Sequence, residues 1–251
     1  MSFFVILLLG LVQGICEFLP ISSSGHLVLL SSLFGVEESV FISIILHLAT
    51  LFSVVIVFRK TIIHLIKHPF CLQSKCLMVA TLCTCVVGFV LLPFLKNSFS
   101  GAILPFSFAF TAFLLLLCPT LEKKKSSTLT IKKSVLIGLS QGIALFPGIS
   151  RSGTTIAGGL ASGLDRKNSA EFSFLLSLPT IFVSLILEIF DLSFGAIANI
   201  NWVALLVGFL VALIVGLISI KFMLRLVERA KLKYFSIYLL VLAFICGIIF
   251  W

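Results

Sequence analysis

The stretch GLVQGICEFLPISSSGH at residues 10–26 recurs as GLSQGIALFPGISRSGT at residues 138–154, which lies 128 positions later, and the two copies align without a gap. Ten of the seventeen positions are identical. Chemically active side chains distinguish the copies at three aligned pairs: Glu17 and Leu145, Ser23 and Arg151, and His26 and Thr154. Since one copy supplies an acid and an imidazole and the other a guanidinium, the repeat predicts one site built from two halves.

The rest of the chain has the composition of a polytopic membrane protein. Of its 251 residues, 60% are hydrophobic and only 11% are charged, whereas about 25% of the residues in soluble domains are charged. A membrane-spanning helix needs about 20 mostly apolar residues. Six segments approach that length: 41–58, 76–95, 102–119, 172–190, 202–220 and 234–251. We therefore expect about six full spans.

The two segments that contain the repeats, 10–35 and 138–163, have a different pattern. Each is broken in its middle by Pro, Gly and a cluster of Ser. Irregular backbone at membrane depth is tolerated only where it is buried in protein or lines a cavity. We interpret both segments as re-entrant helical hairpins, and two ordinary kinked spans in each segment are the alternative.

The net charge of +9 is concentrated in loops. Sixteen of the eighteen Lys and Arg residues fall in four connecting segments that the span pattern places on one side: 59–75, 120–133, 164–171 and 221–233. The positive-inside rule makes that side cytoplasmic. The charge is therefore a topology signal, and we predict no nucleic-acid partner.

An odd number of spans separates the two copies, so they have opposite orientations and form an inverted repeat. Hairpins that enter the membrane from opposite faces can meet near its midplane. The predicted fold class is an all-α polytopic membrane protein with an inverted-topology repeat, two re-entrant helical hairpins and about six full spans. We expect a single domain over 1–251, with repeat halves 1–119 and 134–251, and both termini outside.

Gln13 and Glu17 lie four positions apart and share one helix face just before Pro20 ends the helix. A carboxylate within the membrane is costly and is a functional candidate by default. A metal ion or a basic partner would keep Glu17 ionised. The alternative is a protonated acid that donates a hydrogen bond to a neighbouring helix.

A helix-start signal follows in the first copy, where Ser22, Ser23 and Ser24 precede Gly25 and His26. The N-terminus of a helix offers free N–H groups and a positive dipole end to an anion. A His side chain acts as an acid, a base or a metal ligand. The histidine beside three hydroxyls therefore favours a functional site over serines that only cap the helix.

The second copy also presents hydroxyls and starts a helix, in the run PGISRSGTT at 147–155. The guanidinium of Arg151 stays protonated and matches phosphate oxygens with a bidentate fork. The alternative is a structural Arg151 that pairs with Glu17 or with a backbone carbonyl. Two helix N-termini, an Arg, an acid and a His together predict a phosphate or pyrophosphate site within the bilayer.

We interpret the other ionisable residues of the apolar segments as structural or interfacial. His47 is a lone membrane histidine and is taken as structural. The acidic residues outside the site are Glu188 and Asp191 near the outer end of a span, Glu171 as support for the second hairpin, and Glu37 and Glu38 in a solvated outer loop.

The two motifs, at 13–26 and 147–155, resemble those of the undecaprenyl pyrophosphate phosphatases, the bacitracin-resistance type of integral membrane enzyme, and the resemblance covers nearly the whole chain. It implies hydrolysis of the lipid-carrier pyrophosphate to the monophosphate and inorganic phosphate during bacterial cell-wall synthesis. It also implies a divalent cation, Mg²⁺ or Ca²⁺. The implied partner is a long-chain prenyl pyrophosphate, in a pocket open to the outer face of the plasma membrane.

The resemblance also assigns roles to single positions. Ser23 matches the nucleophile, His26 its partner and Arg151 a phosphate-binding residue, while Gln13 stands where many family members have Glu. The change from Glu to Gln removes one charge from metal binding and leaves the metal role with Glu17. We predict that Ser23 and His26 act as a pair, with His26 as the nearby base that a serine nucleophile needs. We predict catalytic roles for Glu17, Ser23, His26 and Arg151, and substrate binding by Gln13, Ser22, Ser24, Gly25, Ser150, Ser152, Gly153 and Thr155.

Two alternatives stay open at this point. A metal-activated water, instead of Ser23, can be the attacking group. A lipid-phosphate flippase would need the same anion site, because inverted repeats with broken helices are also a transporter architecture. Release of inorganic phosphate distinguishes the phosphatase from the flippase.

Overall fold

The chain is described from a computed structural model, which covers residues 2–35, 39–95, 101–121, 128–190 and 201–251. The predictions for Glu37, Glu38 and Asp191 lie outside these residues. The elements are helical: α1 Phe3–Cys16, α2 Ser23–Phe34, α3 Val40–Val57, α4 Arg59–Lys67, α5 Leu72–Leu95, α6 Leu104–Leu121, α7 Ile131–Ile143, α8 Arg151–Ala161, α9 Arg166–Phe190, α10 Trp202–Glu228 and α11 Lys233–Phe250. A short 3₁₀ turn, Gly101–Ile103, precedes α6.

Within the described ranges, six helices are long and apolar enough to cross a membrane. They are α3, α5, α6 with its 3₁₀ turn, α9, α10 and α11. Each contains most of one of the six apolar segments of the sequence. The prediction of an all-α polytopic membrane protein with about six spans is therefore confirmed.

Both repeats form two helices with a break between them. In the first copy α1 ends at Cys16 and α2 begins at Ser23, and in the second copy α7 ends at Ile143 and α8 begins at Arg151. The residue before each second helix is a serine that caps it, as the sequence predicted. The re-entrant path of these helices through the membrane stays a prediction.

Several helix contacts repeat in pairs, because helices of the first half pack against helices of the second half and the equivalent helices make the equivalent contact. The contact of α1 with α10 is matched by that of α7 with α5, and the contact of α3 with α10 is matched by that of α9 with α5. The remaining pairs join equivalent helices: α3 contacts α9, and α6 contacts α11. The closest contacts repeat with the sequence: a Cβ added to Gly10 would lie 2.5 Å from the Gly208 carbonyl oxygen, and one added to Gly138 would lie 2.4 Å from that of Ala80. Gly208 and Ala80 are themselves 128 positions apart.

The duplication therefore extends from the motifs to the helices that pack against them. Glycine at positions 10 and 138 lets two backbones approach closely, which is how many membrane helices associate. The division at 1–119 and 134–251, and the opposite orientation of the halves in the membrane, stay predictions.

The largest cluster of buried hydrophobic side chains surrounds the loop between α1 and α2. The ring of Phe18, just after α1, is fully buried and meets Phe174 of α9 edge to face, with ring centroids 5.8 Å apart. Phe108 of α6 is also fully buried and lies edge-on to His26 of α2. Helices from both halves thus pack around the loop that carries the first polar motif.

Candidate active site

The carboxylate of Glu17 is the centre of the polar cluster. Glu17 is only 7% exposed. Its Oε2 atom accepts hydrogen bonds from Gln13 Nε2 at 3.0 Å and from Ser23 Oγ at 2.6 Å. Its Oε1 atom pairs with the Nη2 atom of Arg151. A buried carboxylate with a cationic partner and two neutral donors is compensated for its loss of water.

The two repeats meet at this carboxylate through equivalent positions. Ser23 is the first residue of α2 and Arg151 is the first residue of α8, and they align in the duplicated stretch. A second contact joins the loops directly, since Ser152 Oγ donates to the Leu19 carbonyl oxygen at 3.0 Å. The structure therefore brings together the acid of one copy and the guanidinium of the other.

The two helix starts have the same local hydrogen bonds. Ser22 Oγ accepts from the Gly25 N–H at 3.3 Å and lies 3.2 Å from Ser24 Oγ. In the second copy, Ser150 Oγ accepts from the Gly153 N–H at 3.2 Å and lies 3.3 Å from Ser152 Oγ. Capping accounts for one N–H of each helix start, and the first N–H groups of a helix have no acceptor within the helix.

A cavity of about 260 Å³ opens beside this cluster. Six of the predicted site residues line it: Glu17, Ser22, Ser23, Ser24, Ser150 and Arg151. The Nη1 atom of Arg151 is buried and has no hydrogen-bond partner among the residues that the structure describes. The cavity wall therefore combines a guanidinium that has an unpaired N–H donor, several hydroxyls and the starts of two helices. This arrangement is suited to a phosphate group.

The other predicted substrate-binding residues contact the residues of the cavity wall or the helices that carry them. Gln13 orients Glu17, and Gly25 allows the start of α2 to contact the Phe108 ring, which a Cβ would approach to 2.6 Å. Thr155 Oγ1 donates to the Arg151 carbonyl at 2.8 Å and bonds Ser173 Oγ at 2.5 Å, tying α8 to α9. These residues, together with Ser152 and Gly153, do not line the cavity.

His26 is not hydrogen-bonded to Ser23, its predicted partner. Its Nδ1 atom is 2.7 Å from the Ser22 carbonyl oxygen and its Nε2 atom is 2.6 Å from Tyr238 Oη. The hydroxyl of Ser23 is instead hydrogen-bonded to Glu17. The predicted Ser23–His26 contact is wrong for this structure, because packing against α11 gives the imidazole a different partner.

Two ionisable residues that the sequence analysis set aside lie on the cavity. His47 of α3 has its Nε2 atom 4.0 Å from Glu17 Oε2, and its Nδ1 atom is 3.0 Å from the Ser43 carbonyl oxygen. Glu188 of α9 also lines the cavity and has a buried Oε2 atom with no partner within the described residues. The structure therefore places both residues at the candidate site, from which the sequence interpretation had separated them. The sequence offers one indication of their place at the site: ionisable residues within membrane spans are functional candidates.

The donor set does not form a cation site on its own. Both oxygens of Glu17 already have protein partners. No group of three His, Cys, Asp or Glu side chains converges within the described part of the chain. These residues do not fit a divalent cation held by protein ligands alone.

Comparison with known proteins gives one consistent result. The family described as "Bacitracin resistance protein BacA" matches residues 6–245. An undecaprenyl-diphosphatase of Carboxydothermus hydrogenoformans is 39% identical over 251 residues, which cover 96% of this chain and 95% of that protein. An undecaprenyl-diphosphatase of Treponema denticola is 38% identical over 267 residues, covering 100% and 98%. One from Methanobrevibacter smithii is 36% identical over 256 residues, covering 92% of each.

Proposed function

The chain belongs to the bacitracin resistance protein BacA family, and from that premise we propose that it is a membrane hydrolase that converts undecaprenyl pyrophosphate to undecaprenyl phosphate and inorganic phosphate. This activity recycles the lipid carrier of bacterial cell-wall synthesis and confers bacitracin resistance. One observation carries the proposal: Ser23 and Arg151, from the two repeated loops, converge on the Glu17 carboxylate at the wall of one cavity.

The pyrophosphate binds in this cavity, with Arg151 as its main cationic contact. Nη2 of the guanidinium holds Glu17, while the buried Nη1 is available to a phosphate oxygen. The starts of α2 and α8 add N–H groups and positive potential. The hydroxyls of Ser24 and Ser150 offer further donors at the same wall. The prenyl tail lies against the apolar outer surfaces of the spanning helices, in contact with the bilayer.

Ser23 is the favoured nucleophile because its hydroxyl already donates to a carboxylate. The 2.6 Å separation between Ser23 Oγ and Glu17 Oε2 is that of a strong O–H···O⁻ hydrogen bond. As Ser23 Oγ bonds to the terminal phosphorus, its proton passes to Glu17. The bond between that phosphorus and the bridging oxygen breaks, and the bridging oxygen leaves with the electron pair on the lipid monophosphate.

The second half of the reaction restores the enzyme. Glu17 gives its proton to the departing lipid phosphate and is then free to take a proton from water. The water oxygen bonds to the phosphorus of phosphoserine, the bond from Ser23 Oγ to phosphorus breaks, and Ser23 recovers a proton from Glu17. Inorganic phosphate leaves. Glu17 thus acts as the base in place of His26. Two hydrogen bonds support this change: Ser23 Oγ donates to Glu17, and His26 Nε2 is paired with Tyr238.

A divalent cation, Mg²⁺ or Ca²⁺, is also part of the proposal. Magnesium commonly binds through one or two carboxylates together with the phosphates of a substrate. Since the protein residues do not form a complete site, the cation would arrive on the pyrophosphate and neutralise part of its charge, with Glu17 as the carboxylate that would contact it from the cavity wall.

We further propose that the cavity opens to the outer face of the plasma membrane and that both termini lie outside. Support comes from the sequence, because sixteen of the eighteen basic residues fall in segments that the span pattern assigns to one side. The inverted repeat follows from the odd number of predicted spans between the two copies. A lipid-phosphate flippase remains the alternative, and no contact in the described residues favours it over hydrolysis.

Purified protein in detergent, mixed with a long-chain prenyl pyrophosphate, tests the function through release of inorganic phosphate. Wild type should release phosphate, and chelation of divalent cations should abolish the release. Glu17→Gln should lose at least about 10²-fold in rate, because it removes the base. Glu171→Gln is the matched control, since that carboxylate lies away from the cavity.

Wild-type protein that binds the lipid without releasing phosphate would favour the flippase. A Glu17→Gln variant with full activity would remove Glu17 from the mechanism while leaving the phosphatase activity established.

A further inference from the structure

We propose that His26 is a positioning residue, that it holds the carbonyl group of Ser22 at the start of α2, and that Tyr238 of α11 is a second positioning residue that holds the imidazole in place. Neither side chain lines the cavity. The inference rests on the proposed phosphatase activity and concerns how its nucleophile is held.

The hydrogen bonds of His26 leave no free nitrogen for a proton from Ser23. A backbone carbonyl oxygen can only accept, so Nδ1, which is 2.7 Å from the Ser22 oxygen, carries a hydrogen. The remaining nitrogen, Nε2, is 2.6 Å from Tyr238 Oη. In the neutral imidazole Nε2 is therefore an acceptor that the tyrosine hydroxyl already occupies. The imidazole is also buried, at 8% exposure.

The carbonyl that His26 holds belongs to a residue with an unfavourable backbone conformation. Ser22 has φ = 68°, and it is one of only two non-glycine residues with positive φ in the described chain. Such a conformation persists only where surrounding contacts maintain it, and it is typical of functional sites. Ser22 directly precedes Ser23, so its geometry sets the position of the Ser23 hydroxyl relative to Glu17 and the cavity.

The second copy of the repeat shows which task belongs to this position. Thr154 aligns with His26, and its Oγ1 atom donates to the Ser150 carbonyl oxygen at 2.7 Å. The same carbonyl, of the serine four residues earlier, is thus bound by the side chain in both copies. A threonine hydroxyl is not a general base near neutral pH. The feature common to the two copies is therefore the hold on the capping serine.

The two copies differ in how much support the capping serine needs. Ser150 has φ = −74°, an ordinary extended conformation, and a threonine suffices there. The carbonyl of the strained Ser22 is bound instead by the imidazole of His26, which Tyr238 of α11 holds in place through a hydrogen bond. The Tyr238 ring lies parallel to the imidazole, with an interplanar angle of 8° and centroids 5.7 Å apart, and Phe108 contacts the imidazole edge-on.

Substitution of His26 by the residue of the other copy separates positioning from proton transfer. His26→Thr should keep the hold on the Ser22 carbonyl and retain phosphate release within about tenfold of wild type, since the brace is worth about one hydrogen bond. His26→Ala should lose on the order of 10²-fold in kcat, because displacement of a reacting group by about 1 Å has that effect. Thermal unfolding in detergent confirms that each variant is folded.

Tyr238→Phe provides an independent test and has a matched control. It should lower kcat about five- to tenfold with KM unchanged, because it removes only the hydroxyl that fixes the imidazole. Tyr234→Phe, one helical turn away on α11, should match wild type. The double variant His26→Thr/Tyr238→Phe should be no slower than His26→Thr alone, since the tyrosine acts through the imidazole.

Each outcome decides the matter. A folded His26→Thr variant that is as inactive as His26→Ala overturns the inference and returns His26 to acid–base chemistry. Wild-type activity in Tyr238→Phe overturns the role of the tyrosine, and this result stands even if the His26 variants do not fold. Absence of phosphate release by wild type would instead refute the proposed function, which keeps the two failures distinct.

Discussion

Replacement of Arg151 by Lys should reduce phosphate release about 10²–10³-fold, although the charge is kept. The guanidinium has two tasks that use different nitrogens: Nη2 pairs with Glu17, and the buried Nη1 has no partner within the described residues. A lysine ammonium is a point charge on a flexible stem and cannot form the same planar fork. It can serve the carboxylate or the phosphate, so one preorganised contact is lost.

Loss of one such donor to a developing charge typically costs about 10²–10³ in kcat, or about 2.7–4 kcal/mol. The assay is steady-state phosphate release by purified protein, with kcat and KM measured separately over a range of lipid concentrations. Arg59→Lys, at the exposed start of α4, is the control and should match wild type. Activity of Arg151→Lys within about threefold of wild type would show that Arg151 is only a structural partner of Glu17 and would refute the reasoning.

Three further predictions concern the nucleophile, the packing of α1 on α10 and the membrane topology. Ser23→Ala should lose several orders of magnitude in kcat, since a nucleophile is absent; substantial residual turnover would instead identify a water molecule as the attacking group. Gly10→Ala should destabilise the protein by about 1–3 kcal/mol, because its Cβ would lie 2.5 Å from a backbone oxygen of α10. Thermal unfolding checks this, and Gly247→Ala, where a Cβ meets nothing within 4 Å, should be neutral. In a variant without the seven native cysteines, a cysteine at Lys60 should react with an impermeant maleimide only from inside and one at Ser2 only from outside; labelling of both from one side would contradict the proposed topology.

The position of the candidate site could be predicted from the sequence because the signals that mark it act over short distances. Pro20 and the serine clusters end one helix and start the next within a few residues. The breaks after α1 and α7 could therefore be predicted from the sequence. The duplication then predicted that the two breaks share a site, and the contact between Glu17 and Arg151 agrees with that prediction.

The hydrogen-bond partner of His26 could not be predicted in this way. Ser23 and His26 are three positions apart on one helix, a spacing that suggests contact, yet the imidazole turns to Tyr238, which is 212 positions away. The sequence contains no periodicity that links the two. The choice depends on how α11 packs beside α2 and α6, and packing also decides that the carboxylate at position 17 reaches the Ser23 hydroxyl.

The sequence by itself determined that this is a helical membrane protein with two equivalent polar loops, since apolar length, charge placement and helix-breaking residues act locally. Only the tertiary structure decided which side chains meet. His47 of α3 and Glu188 of α9 reach the cavity through the register between spanning helices. That register is set by side-chain packing and close glycine contacts across the whole bundle, so the partners of an ionisable residue follow from the fold and not from its neighbours in the chain.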